Sequence, residues 1–364
     1  MKPIFLHVKA VLRAITLFML VFMSLSAVHA QIGGNGTFKF YDLINPARTA
    51  ALGSGNFIAI KDNDISLMLA NPSLITSEVN NRLALTFTDH YSDINYGIAS
   101  FGKDFGKVGS FVGSIQFANY GKFKYADASG NTWGDFNAGE YTFNVGWGRS
   151  LDSAFSIGAN LKTIYSSLES YTSFGLAVDV AGSYSNKKNF TVSFAARNIG
   201  RQLTTYTSGD QEPLPFELQL GISKRLPHLP FRYSLVLNHL EKWDLSYTDP
   251  AASTIDPLTG ESIVSNDNSG FLDKVMRHVV LGGEFVPTKI LSFRFGYNYQ
   301  RRQELKLSNR PAMVGFSWGI GLKISKFNFN YARATYHLAG SPNYFTLTTN
   351  LEDFHRKQQA KSSN

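Results

Sequence analysis

The chain has no cysteine among its 364 residues. That excludes a disulfide framework, a thiolate metal site and a lipid-modified cysteine behind an export signal. Charge is also sparse, with Asp, Glu, Lys and Arg making up 17% of the sequence. Beyond Leu25 no apolar run approaches the roughly twenty residues that a membrane-spanning helix requires. Gly 31, Phe 29 and Tyr 17 are abundant instead, and mean hydropathy is close to zero. A chain this apolar without a spanning helix points to a barrel that crosses a membrane with strands.

The N-terminus is read as an export signal. Lys2, Lys9 and Arg13 form a positive start, Ala14 to Leu25 is an almost unbroken apolar stretch, and Val28-His29-Ala30 places small residues before Gln31. The alternative is a membrane anchor, for which about twelve apolar residues are too few. Export through the Sec pathway with cleavage at Ala30-Gln31 is therefore expected. The formal charge of +8 falls to +5 without Lys2, Lys9 and Arg13. The remaining basic residues are scattered through turns and the tail His355-Arg356-Lys357, a pattern that does not suggest nucleic acid.

From Phe155 onward, Phe155, Ile157, Ala159, Leu161 and Tyr165 alternate with Ser156, Gly158, Asn160 and Lys162. Tyr141 to Trp147, Phe293 to Tyr299 and Val314 to Leu322 repeat the same split of aromatic or β-branched against small or polar residues. Period two with these residue types is a strand signal. It predicts strands near 82–91, 94–101, 109–120, 139–150, 155–167, 173–184, 190–198, 215–224, 231–238, 278–285, 290–301, 313–324, 327–333 and 343–354. The fold class is thus all-β, an antiparallel transmembrane barrel of about fourteen strands.

A soluble sandwich would alternate too, so the connections decide. Gly102–Val108, Leu151–Ala154, Ser185–Asn189, Arg225–Pro230, Val286–Lys289 and Ser325-Lys326 are short. Gly121–Ala138, Ile199–Leu214, His239–Arg277 and Arg302–Ala312 are long and lie on the other side. Short periplasmic turns and long outer loops describe an outer-membrane barrel. Tyr91, Tyr120, Trp147, Tyr165, Tyr299 and Trp318, near strand ends, suit interfacial girdles or are ordinary strand aromatics.

The segment before the strands has no sustained alternation and is rich in Gly and Asn turns, so a compact plug is expected at the periplasmic mouth or in the lumen. The organisation becomes 1–30 signal peptide, 31–81 N-terminal hatch, 82–354 barrel and 355–364 basic tail. Arg48 is expected to pair with Asp62 or Asp64 and brace the plug, with Pro72 ending the segment.

Arg48 with Ala51-Leu52-Gly53, the acidic Asp62 and Asp64, and Asn71-Pro72 with Leu74 resemble the N-terminal segment of long-chain fatty-acid transporter barrels and the related type IX secretion barrels. Gly33-Gly34-Asn35-Gly36-Thr37-Phe38, Asn119-Tyr120-Gly121 and Gly139-Glu140-Tyr141 are similar to the PorQ branch of that family. The resemblance covers essentially the mature chain. It implies a fourteen-stranded barrel with a hatch, seated in a Bacteroidetes-type outer membrane. It also implies service to the type IX secretion apparatus, whose cargo is attached to surface lipopolysaccharide. The implied partners are a PorZ-like surface protein, with PorV and PorU in an attachment complex. No cofactor is implied.

The outer segment His239–Arg277 mixes Trp243, Leu245, Tyr247, Ile255 and Phe271 with acidic residues. Its apolar content favours packing onto the barrel mouth or onto another protein. No nucleophile motif, dinucleotide loop or EF-hand is present; Gly53-Ser54-Gly55 reads as a plug turn. His90, His239, His278 and His337 show no ligand or triad spacing. Three functions stand open: a secretion-complex barrel anchoring a surface protein, a transporter of hydrophobic small molecules, and, remotely, a barrel hydrolase.

Overall fold

A computed structural model describes residues 36–354, apart from 44, 54–55, 91–92, 187–188, 208, 210, 247–253, 256–261, 264–269, 307–312 and 338–339. The expected signal segment 1–30 and tail 355–364 lie outside the described residues. Among the described residues no helix is long and apolar enough to cross a membrane.

Fourteen antiparallel strands close into one barrel. They are β1 (Arg82–Asp89), β2 (Asn95–Asp104), β3 (Ser110–Ala126), β4 (Thr132–Ser150), β5 (Phe155–Leu168), β6 (Tyr171–Ser185), β7 (Phe190–Thr204), β8 (Glu217–Arg225) and β9 (Phe231–Leu237). After the two-residue strands β10 (Thr254–Ile255) and β11 (Ser262–Ile263), which pair only with each other, come β12 (Val279–Phe285), β13 (Leu291–Asn298), β14 (Phe316–Ile324), β15 (Phe327–Ala334) and β16 (Asn343–Asn350). β1 pairs with β16 from Arg82↔Asn350 to Asp89↔Asn343, so the sheet has no free edge along this seam. In hydrocarbon that closure is obligatory, because an unpaired backbone group finds no water to bond.

Alternation sorts the two faces. Tyr141, Phe143 and Val145 on β4 and Phe295 on β13 remain exposed on the outside, where lipid replaces water as their surroundings. Thr142, Asn144, Asn160, Ser183 and Gln219 turn inward and are buried. What buries them is the hatch.

The hatch runs the full height of the lumen. At the outer end Thr37 N donates to Pro213 O (3.1 Å), and at the short-turn end Asn80 Nδ2 donates to Glu352 Oε1 (2.6 Å). Between them it is built from single turns, the longest being α1 (Ala47–Ala51). Asn71 and Pro72 make one of these turns. The Asn71 carboxamide oxygen accepts from Ser73 N (3.2 Å) and Ser73 Oγ (2.6 Å), and its Nδ2 donates to Ile58 O (3.0 Å). Pro72 occupies the first position, where no N–H is needed. Glycines on the wall make room for these turns. A Cβ at Gly158 would stand 2.1 Å from Pro72 O, and one at Gly296 would stand 2.2 Å from the Leu52 carbonyl carbon.

Several expectations need correction. Gly121–Ala138 is not a loop: β3 and β4 continue through it as a hairpin, leaving only residues 127–131 as the turn. A register shift between Asn119 and Lys122 lets the strand continue after its alternation slips, which is why the pattern read as a loop. Likewise β7 extends to Thr204, and residues 299–305 form the helix α3 (Tyr299–Leu305) where strand and then loop were expected. A further helix, α2 (Phe271–Arg277), lies inside the expected long loop. Tyr120 is not a girdle residue, since its hydroxyl bonds Glu140; Tyr299 donates to Asp273 Oδ1 (2.6 Å) in the outer cap. Trp147 does stand at the short-turn rim, with Nε1 donating to Val108 O (3.0 Å), whereas Tyr91 is outside the described residues.

If the hatch seats by this close approach, Gly158→Val should leave it accessible to protease in the folded barrel, whereas the outward Ile157→Val should not. Equal protection of both variants would dismiss the close-contact account.

Candidate functional site, a charged lock between hatch and wall

The hatch meets the wall through six charged side chains near the short-turn mouth. Arg48 leaves α1 and grips two partners with its planar fork. Its Nη1 and Nη2 donate to Asp62 Oδ1 (3.0 Å) and Oδ2 (2.5 Å), while Nε and Nη2 donate to Glu284 Oε1 (3.1 Å) and Oε2 (2.9 Å). Nη1 also reaches Asp64 Oδ2 (3.0 Å). Two bidentate pairings of this kind fix direction as well as distance, which a lysine ammonium could not reproduce.

The wall contributes the rest. Cross-strand register sets Arg232 of β9 and Arg294 of β13 on either side of Glu284 of β12. Arg232 Nη1 donates to both Asp62 Oδ2 (2.7 Å) and Glu284 Oε2 (2.8 Å). Arg294 Nε donates to Glu284 Oε1 (2.7 Å) and its Nη1 to Asn330 Oδ1 (2.8 Å). Three guanidinium groups thus face three carboxylates, and the Glu284 side chain is only 2% exposed. Such a charge is tolerable in a dry interior only when fully partnered. Burial works against the charge on Arg48, but Asp62, Glu284 and Asp64 outweigh it and hold the guanidinium well above its ordinary pKa. Burial likewise opposes ionisation of Asp62, yet Arg48 and Arg232 hold its carboxyl below the usual carboxylate range.

Other hatch positions bind the wall by packing. Leu52 is buried beside Gly282, and Gly53, at φ +76°, lies against the backbone of Gly296 and Tyr297. Higher in the lumen, Lys162 pairs with Asp179 (2.7 Å) beneath the Tyr41 ring, Asn160 Nδ2 donates to Leu69 O (3.0 Å), and Arg197 Nη1 donates to Asn56 O (2.7 Å). Asp62 and Asp64 are engaged by arginine. Among the described residues no group of His, Asp or Glu is arranged to hold a metal.

The outer cap holds the other candidate residues. Trp243 is exposed and packs on Phe271 (ring centroids 5.7 Å) and His278 (6.1 Å). Phe271 is 74% and its neighbour Leu272 72% exposed, whereas Leu245 is buried. Lys274 pairs with Asp244 (2.6 Å), and Asp273 joins Arg277 to Tyr299, tying α2 to α3. Tyr247 lies outside the described residues, and Ile255 is described only as backbone in β10. His239, contrary to its apparent isolation in sequence, lies 3.2 Å from Glu241 and 3.6 Å from Glu217.

Reasoning from sequence missed Arg232, Glu284 and Arg294. Each stands at a lumen-facing position of its strand, and only the pairing of β9, β12 and β13 aligns them.

No protein-family model matches the chain, and no curated protein sequence does. Solved structures do match in fold. The toluene transporter TbuX of Ralstonia pickettii aligns with TM-score 0.50 and 11% identity over 86% of this chain and all of that one. The toluene transporter TodX of P. putida aligns with TM-score 0.52 and 11% identity over 83% and 98%. The chain therefore has the fold of outer-membrane channel barrels.

Replacing Arg48 with Ala leaves Asp62 and Glu284 short of a partner, which for a buried pair costs about 3–5 kcal/mol. The expected result is raised dye permeability or a lowered yield of inserted barrel, with Arg48→Lys between Ala and wild type; unchanged permeability and yield in both would remove Arg48 as the brace. The lock also has a pH signature. Asp62 has its pKa depressed in the fold, so its contribution is complete above about pH 4, the unperturbed carboxylate value. That contribution is lost only as pH falls toward the depressed value. Hatch protection measured by proteolysis or amide exchange should be flat from pH 8 to about pH 5 and fail in stronger acid.

Proposed function

We propose that this chain is an outer-membrane barrel of the type IX secretion apparatus, closed by its hatch, that seats a PorZ-like surface protein in an attachment complex with PorV and PorU. The observation that carries the reading is the filled lumen. A cavity between the hatch and wall residues of β2, β3, β4, β5 and β7 measures about 30 Å³, whereas a cavity of about 150 Å³ is one that takes up benzene. A second cavity, about 390 Å³, is lined in large part by charged and polar groups, those of the lock among them. A barrel with its bore occupied has its outer surface left to work with. There Trp243, Phe271 and Leu272 stand exposed on a cap braced by salt bridges, an arrangement suited to a protein partner. Surface lipopolysaccharide surrounds that cap under this reading.

A second reading has its own support. The two solved barrels named above, at TM-scores of 0.50 and 0.52, are toluene transporters, so fold likeness favours passage of a hydrophobic small molecule. On that reading the hatch must move, and the lock is what holds it shut.

Affinity isolation from native outer membranes separates the two. Co-isolation of a surface protein that is lost on deleting Thr248 to Ser269, or in Trp243→Ala/Phe271→Ala, with the barrel still heat-modifiable on gels, is the expected result. A partner-free barrel carrying bound hydrocarbon or fatty acid would favour transport instead.

A further inference from the structure

At the short-turn mouth the lock borders a cavity of about 390 Å³ whose lining includes seven Arg or Lys side chains and three carboxylates. The three carboxylates are those of the lock, and its three arginines engage them. Four lining cations remain. Arg82, Arg225, Lys289 and Lys323 have no carboxylate partner among the described residues. They come from different places in the sequence: Arg82 opens β1, Arg225 closes β8, Lys289 sits in the β12–β13 turn and Lys323 is near the end of β14. Strand register therefore gathers them around one opening. Asn328 and Thr348, cross-strand partners on β15 and β16, add neutral hydrogen-bonding groups to the same wall.

Unpaired like charges around one cavity repel each other, and an anion among them removes that repulsion. The lock contributes donors as well. Among the described contacts Arg232 engages only its Nη1, and Arg294 only its Nε and Nη1, so each retains N–H groups for an oxyanion. We infer that this cavity binds a small, multiply charged oxyanion of the phosphate class, held by Arg225, Lys289 and Lys323 beside the lock. Its volume suits a phosphate or pyrophosphate group and excludes a folded domain. The inference stands under either functional reading, since it depends on the short-turn mouth and not on the bore or the outer cap. A phosphate could come from a soluble compound or from a lipid headgroup of the inner leaflet, and the chemistry at the wall is shared.

The test is calorimetric titration of inorganic pyrophosphate into the full-length barrel, held in phosphatidylcholine nanodiscs at constant ionic strength. Arg225→Ala/Lys289→Ala/Lys323→Ala should weaken binding at least tenfold. Lys122→Ala/Lys124→Ala/Lys242→Ala, which removes the same charge from the outer side, should change it less than twofold. Both variants should stay heat-modifiable, as none of these residues belongs to the lock. Absence of pyrophosphate binding to the wild type, or equal weakening by the two triple variants, would overturn the site. With binding in hand, nanodiscs containing phosphatidylglycerol distinguish the source. Loss of pyrophosphate affinity there assigns the cavity to a lipid headgroup, and unchanged affinity assigns it to a soluble anion.

Discussion

Glu284 is the group on which the hatch depends. A carboxylate 2% exposed inside a barrel wall is tolerable only with cations around it, and the wall supplies two of these from the neighbouring strands, Arg232 and Arg294. The third comes from the hatch. Arg48 is therefore not an ornament added to a finished barrel: its fork satisfies Glu284 on one side and Asp62 on the other. The hatch carries Asp62 and Asp64 in with Arg48, so the plug arrives as a net acid and is drawn to a basic wall.

The glycine rows have the same logic in steric form. Closure of the sheet creates a bore, and the polypeptide that fills it has backbone groups needing partners and turns needing space. Inward Asn, Ser and Arg side chains, such as Asn160 and Arg197, supply partners for the hatch carbonyls. Gly158 and Gly296 supply space where a hatch turn presses on a strand. Polar and small residues opposite the aromatic rows are thus the lining of an occupied bore. The same composition in a water-filled pore would leave the wall without such contacts.

This explains what was legible in the sequence. Alternation reveals the strands because lipid outside and a filled bore inside impose opposite demands on successive residues. It fails where those demands end. Beyond Tyr120 the β3–β4 hairpin is exposed on both faces, as Lys122, Phe123 and Lys124 show, so no burial enforces the pattern and a register shift passes unnoticed. The hatch half of the lock was also legible, because Arg48, Asp62 and Asp64 lie within sixteen residues of each other. Its wall half was not. Glu284 is 236 residues from Arg48, and in a strand a lumen-facing Glu or Arg looks like any other polar position until the partner strand is known.

The distribution of contacts bears on whether the bore opens. Packing and hydrogen bonds hold the hatch along its length, but the charged groups concentrate at the short-turn end, where Asp62, Glu284, Arg232 and Arg48 meet. A network of mutually compensating charges resists partial displacement strongly, since moving Arg48 strips a partner from three acids at once, and yields only to something that replaces a whole partner. Apolar cargo arriving from outside carries no such replacement. A lock of this kind answers to charge presented at its short-turn end rather than to apolar contact. If the barrel does pass hydrocarbons, the hatch must move, and the lock that ties Arg48 to Glu284 must first open.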